Sequence, residues 1–196
     1  VYFLITQVHQ SALKSLCFAT ARLRIRICLG NSRKEDIEVG NREDKYNTIH
    51  INDRLSYKLS MIPDYPVVVI DAPAGYGKTT AIREYAQTST GRFIWINVSN
   101  PSRDIFWSDF CDAFLAVNKD AQKLLKTLDY PQSEKTVAEV RSIIKHVAVT
   151  EPTYIVIDNC HLITDEFHNL FISSIPYILP DDLHFIFISQ TAPPNT

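Results

Sequence analysis

Asp71-Ala72-Pro73-Ala74-Gly75-Tyr76-Gly77-Lys78-Thr79-Thr80 is the stretch on which the rest of the chain turns. Immediately before it, Pro66-Val67-Val68-Val69-Ile70 forms a short apolar run rich in β-branched residues. Immediately after it, Ala81-Ile82-Arg83-Glu84-Tyr85-Ala86 has an amphipathic helical pattern. A strand, a glycine-bearing loop, Gly-Lys-Thr and a helix form the context in which a phosphate-loop motif acquires a mechanism. An ordinary strand–turn–helix with a stray lysine is the plain alternative, and the flanking pattern disfavours it. One position departs from the motif: it asks for glycine where this chain has Ala72.

The residue types follow from the chemistry of phosphate. Its oxygens need several donors converging on one small volume, and backbone N–H groups converge only where the chain bends tightly. Gly75 and Gly77 are expected where a Cβ would obstruct the bend or the ligand. The helix starting near Lys78 points its free N–H groups and positive dipole end at the same place. Lys78 is then expected along the β- and γ-phosphates as a point charge, with Thr79 offering its hydroxyl to Mg²⁺. Ala74, Gly75, Tyr76, Gly77, Lys78, Thr79 and Thr80 are the expected nucleotide contacts.

A second landmark lies downstream. Thr153-Tyr154-Ile155-Val156-Ile157-Asp158 is an apolar strand ending in an acid, the pattern of a Walker B strand. Asp158 is expected at the carboxyl edge of a parallel sheet, where ligands bind in such folds, sharing the Mg²⁺ shell with Thr79. Many buried strands end in aspartate, so the phosphate loop is what gives this one its meaning. Asn159 follows, where hydrolytic relatives often place a second acid to orient or deprotonate water. An amide can orient water but cannot take its proton. His161 has no nucleophile for company and reads as a core or supporting histidine.

Around these landmarks the chain alternates. Strands are expected over 66–72, 93–98, 153–158 and 183–189, and Gln190 at the tip of the last is a candidate sensor of the γ-phosphate. Helices are expected from Asp53, from Lys78, over 104–118 with Ile105, Phe106, Phe110, Phe114 and Val117 near one face, over 120–128, from Ser133 and over 167–179. Trp107 reads as core rather than as a ligand platform. The fold class is therefore α/β, a phosphate-loop NTPase with helices on both faces of a parallel sheet, and the family resemblance given below implies the additional-strand type. That type places a fifth strand beside the phosphate-loop strand. The sheet is expected to stop after its fourth strand, leaving an edge exposed to mispairing. Leu23 to Leu29 alternates like a strand and is one candidate to cover that edge.

The nucleotide-binding domain is expected over 48–196, after an uncertain arm or linker over 1–47. Asn31 to Lys45 is charge-rich and reads as solvated. Arg22, Arg24 and Arg26 suggest a solvated strand face sooner than a nucleic-acid contact. The 196 residues carry a formal net charge of −2, which disfavours direct nucleic-acid binding by this chain. Cys17, Cys28, Cys111 and Cys160 form no Cys-x-x-Cys pair, so neither zinc nor a disulfide framework is indicated. Scattered single cysteines fit a reducing cytoplasm. The apolar stretch Val1 to Val8 falls far short of the ~20 residues that a span needs. The chain begins at Val1 and reads as a fragment or as starting at an alternative codon.

Ala72 to Thr80 resembles the phosphate loop of the large ATP-binding LuxR-type transcriptional regulators, the maltose-regulon-activator group within the signal-transduction ATPases with numerous domains. Ile51 to Leu59 resembles the segment leading into their first strand, and Phe106-Trp107-Ser108-Asp109-Phe110-Cys111 a helix found in many members. Asp158-Asn159-Cys160-His161-Leu162-Ile163 resembles their Asp-Asp-Tyr-His-Leu-Ile, and Leu183 to Ser189 their Leu-His-hydrophobic-Ser-Arg strand. The resemblance covers about Ile51 to Pro194, and the family tolerates a small residue at Ala72. It implies ATP as the nucleotide, with Mg²⁺, and ATP-dependent self-association of a full-length regulator. It also implies DNA contact only through a C-terminal domain beyond Thr196. Asn159 stands where the family usually has a second acid and Gln190 where it often has arginine. ATP binding is thus implied, with a weak ATPase at most. An active NTPase or phosphoryl-transfer enzyme, and a remnant without nucleotide binding, remain as alternatives.

Overall fold

A computed structural model describes residues 22–26, 53–163, 175 and 178–190. Five parallel strands form one sheet in the order β1-β2-β5-β4-β3. They are β1 Arg22–Arg26, β2 Val67–Ala72, β3 Arg92–Asn97, β4 Thr153–Asp158 and β5 Leu183–Gln190. Between them run α1 Asp53–Ser60, α2 Lys78–Thr88, α3 Arg103–Val117, α4 Lys119–Leu125 and α5 Glu134–Lys145. Short 3-10 turns sit at Ile62–Asp64 and Cys160–Leu162. The four strands read from the sequence are all present. The edge beside β2 is paired, because β1 lies parallel to it with Ile25 opposite Ile70. The side chains of Arg22, Arg24 and Arg26, the charged run 31–45 and nearly all of the helix expected over 167–179 lie outside the described residues.

Alternation along the strands builds two cores. Val67, Ile155, Ile157, Leu183, Phe185 and Phe187 face one way, toward α3, α4 and α5. Val68, Ile70, Tyr154, Val156, Ile186 and Ile188 face the other, toward α1 and α2, and Ile25 joins them. Because both faces are covered, the strands are nearly continuous apolar runs, as parallel sheets require.

Sequence and packing agree closely in the helices, with one correction. On α3, Phe106, Phe110 and Phe114 are buried as expected, together with Trp107, Cys111 and Ala113. Ile105 is not on that face and stands 48% exposed, because the buried arc follows Phe106 and turns away from the residue before it. Trp107 is core: its Nε1 donates to the Leu128 carbonyl at 2.7 Å. Asn118 ends α3 and caps α4, its side chain accepting from the Asp120 and Ala121 N–H groups. Ser133 opens α5 with a capping box, accepting from the Thr136 N–H at 3.2 Å while Thr136 Oγ1 accepts from the Ser133 N–H at 3.1 Å.

Candidate phosphate-binding site

The loop between β2 and α2 crosses the carboxyl edge of the sheet, where β4 and β5 also end. Gly75 and Gly77 have φ of +78° and +69°, and a Cβ built on either would meet nothing within 4 Å. Glycine is therefore needed for the left-handed backbone of the bend, where a Cβ crowds the residue's own peptide groups, and not for room against other parts of the chain. Tyr76, between them, turns back and packs against the core on the α1 and α2 side. Gly77 is the N-cap of α2, and the first helical hydrogen bond runs from the Ala81 N–H to the Gly77 carbonyl at 2.8 Å. The N–H groups of Lys78, Thr79 and Thr80 precede it in the first turn, where a helix has no acceptor of its own to offer.

Lys78 curls back over the loop, its Nζ donating to the carbonyls of Ala72 at 2.7 Å and Pro73 at 2.8 Å. Burial pulls its pKa down, and the negative charges of Asp158 and Asp71 oppose that pull. Thr79 reaches across to β4 and donates its hydroxyl to Asp158 Oδ2 at 2.8 Å. Asp158 is only 8% exposed, and its Oδ1 accepts from the Asn159 N–H at 2.9 Å. The loop, the first turn of α2 and the tip of β4 are thereby tied into one unit.

Asn159 leaves the strand in a left-handed conformation, φ 58° and ψ 33°, the one non-glycine residue with positive φ among those described. Asparagine tolerates this region better than most residues. Its Nδ2 donates to Asn97 Oδ1, at the tip of β3, at 3.2 Å. Gln190 is exposed at the end of β5, in register with Ala72. The fold thus brings Lys78, Thr79, Asp158, Asn159 and Gln190 to one edge of the sheet. Asp71 and Asn97 join them there, although neither was assigned a role from the sequence. Each is the polar residue closing, or nearly closing, an apolar strand, the feature that drew attention to Asp158. Cys160 is buried behind this edge. Burial pushes its thiol up to about 11, a hydrogen bond with Ser189 lowers it, and the charges of Asp158 and Asp71 push it further up.

The donor set fits a hard divalent cation held with a polyphosphate. Thr79 and Asp158 offer oxygen, within hydrogen-bond distance of each other. Among the described residues, no group of three or more His, Cys, Asp or Glu is arranged to hold a metal. Few protein ligands, with water and phosphate supplying the rest, is how Mg²⁺ is commonly bound. Among the same residues, no helix is long and apolar enough to cross a membrane.

Comparison with known proteins bears on this site. The family model described as "AAA domain" matches residues 64–191. The chain is similar to the HTH-type transcriptional regulator MalT of Yersinia enterocolitica, 31% identical over 152 residues that make up 76% of this chain and 17% of that protein. The MalT of Vibrio parahaemolyticus is 28% identical over 143 residues, 69% of this chain and 15% of its own length. That of Serratia proteamaculans is 26% identical over 164 residues, 76% of this chain and 17% of its own length. The chain spans less than a fifth of the length of each of these relatives.

Proposed function

This chain belongs to the AAA domain family, and from that premise we propose that it is the ATP-binding switch module of a LuxR-type transcriptional regulator, with slow or absent hydrolysis. The observation that supports this most is the 2.8 Å hydrogen bond from Thr79 to Asp158, which joins the phosphate loop to the acid of β4 at the carboxyl edge of the sheet. Ala74 to Thr80 would cradle the phosphates with backbone N–H groups and the N-terminal end of α2. Lys78 would exchange its two loop carbonyls for phosphate oxygens. Thr79 and Asp158 would hold Mg²⁺, directly and through water, and bound Mg²⁺ neutralises charge on the β- and γ-phosphates. Asn159 and Gln190 would lie on the γ-phosphate side. Neither amide side chain can accept a proton from water at neutral pH, so the site would grip ATP far better than it cuts it. The preference for adenine rests on the resemblance of the loop to the ATP-binding LuxR-type regulators, and a DNA-directed role through other parts of a longer protein is supported by the similarity to relatives named HTH-type transcriptional regulators.

The test is a thermal melt of the chain with and without ATP and Mg²⁺, on wild type and Lys78→Ala. At a hundred times the dissociation constant, binding adds about 2.7 kcal/mol of stability. Wild type should show the corresponding rise in Tm and Lys78→Ala should lose most of it. A wild-type melt indifferent to ATP would overturn the proposal.

A further inference from the structure

Asp71 closes β2 immediately before the phosphate loop and is only 6% exposed. A carboxylate buried beside an anion-binding loop works against the ligand, so its presence there asks for a reason. Strand alternation puts it on the face of Val67 and Val69, toward α3. Its register partner on β5 is Ser189, whose side chain bonds Cys160 on the same face. Asp158 lies on the opposite face, toward α2, where Thr79 meets it. Lys78 is pinned above the edge by the carbonyls of Ala72 and Pro73, and the two buried carboxylates, one from each face, close the strands at that same edge. Both act on its charge. Only Asp158 is engaged by Thr79 and has a part in the metal site proposed above.

We infer that Asp71 is a specificity-determining residue that makes the phosphate loop select the magnesium complex of a nucleoside triphosphate over the metal-free form. It rests on the nucleotide-binding reading above. Asp71 draws on the same lysine charge that a polyphosphate needs, and it repels anionic ligand directly. The repulsion grows with the ligand's charge. A divalent cation cancels part of that charge, so the metal complex suffers less than the bare triphosphate. Two buried acids acting on one lysine thus turn a general anion site into one that discriminates by the charge of what it holds.

Calorimetric titration of the chain with ATP in excess Mg²⁺, and with ATP in EDTA, gives the discrimination as a ratio of dissociation constants. Asp71→Asn and Asp71→Ser remove the charge in two shapes, and Asp71→Glu keeps it. Both neutral variants should bind metal-free ATP more tightly, by roughly fivefold for a charge removed at close range behind partial screening. They should gain less with the magnesium complex, so the ratio falls. Asp71→Glu should keep the wild-type ratio. An unchanged ratio in a neutral variant that binds ATP, or weaker binding of metal-free ATP by both, overturns the inference and leaves the nucleotide-binding reading standing. A wild type that binds neither form overturns both.

Discussion

At Asn159 the chain turns out of β4 in left-handed backbone and anchors its amide on Asn97. A carboxylate at this position would face the same edge and could accept a proton from water. Asn159→Asp should therefore raise phosphate release from ATP above the wild-type rate. The wild type should run far below the roughly 1–100 s⁻¹ of working kinases, as read in a continuous phosphate assay. Fast turnover by the wild type would show that the base lies elsewhere. Residues of the site differ in how plainly they can be read. Lys78, Thr79 and Asp158 are legible because each belongs to a motif with fixed neighbours. Asp71 and Asn97 belong to none: Asp71 adjoins the loop in sequence, but only the register of a parallel sheet sets it opposite Ser189 and sets Asn97 beside Asn159. Register is a long-range property, invisible to any pattern confined to one strand.

Elements carry their own tests. Gly91 enters β3 at φ +119°, and a Cβ there would come within 2.6 Å of the Pro152 carbonyl oxygen and 2.9 Å of Tyr154 Cε2. Both partners are fixed, one in backbone that accepts from the Arg92 N–H at 2.8 Å, the other stacked on Phe93. Gly91→Ala should cost about 2 kcal/mol or more, from strained backbone and overpacking together. Ser133→Ala removes only one cap of α5 and should cost about 1 kcal/mol. Urea denaturation on both variants checks the order of the two effects, and a Gly91→Ala as mild as Ser133→Ala would contradict the steric account. The α5 cap could be read from sequence because Ser133 precedes an apolar spacing of fixed period. The buried arc of α3 could be read only in part. Seven of its residues, Ile105, Phe106, Trp107, Phe110, Phe114, Leu115 and Val117, are large and apolar, more than one face can hold. Composition alone could not tell that Ile105 and Leu115 would be left outside.

The whole molecule is a sheet with a core on each side, and its stability should report on both. Cys111 lies in the α3 core, 1% exposed, and burial pushes its thiol up to about 11. The folded state therefore favours the neutral thiol, while an unfolded chain ionises it near 9.0. Below that pH the thiol adds no pH dependence. As pH rises from there toward 11 the folded state keeps a proton that the unfolded state has lost, and stability falls. Cys111→Ala should be less stable than wild type near pH 8, by about 1 kcal/mol for the lost sulfur packing. The gap should narrow as pH is raised through that window, measured by denaturant midpoints at each pH. A gap that stays constant would place the ionisation elsewhere. At this scale the α/β class, the four apolar strands and the two-faced cover were legible, because each follows from local period. Pairing of β1 with β2 was legible only as a candidate. Five alternating residues say that a strand exists and nothing about its neighbour.

The position of β5 has a consequence for how the molecule is made. It is the last of the described strands in sequence, yet it lies between β2 and β4, with Val67 on one side and Ile155 on the other both opposite Phe185. On the ribosome, β1 with β2 and β3 with β4 can pair early as two separate halves. Neither half can join the other until Leu183 to Gln190 has cleared the exit tunnel. Through that interval Val68, Ile70, Ile155 and Ile157 have no permanent cover along one edge, and parallel pairing across such separations is slow. A nascent chain stalled before Leu183 would present two open edges to chaperones and to its own copies on neighbouring ribosomes.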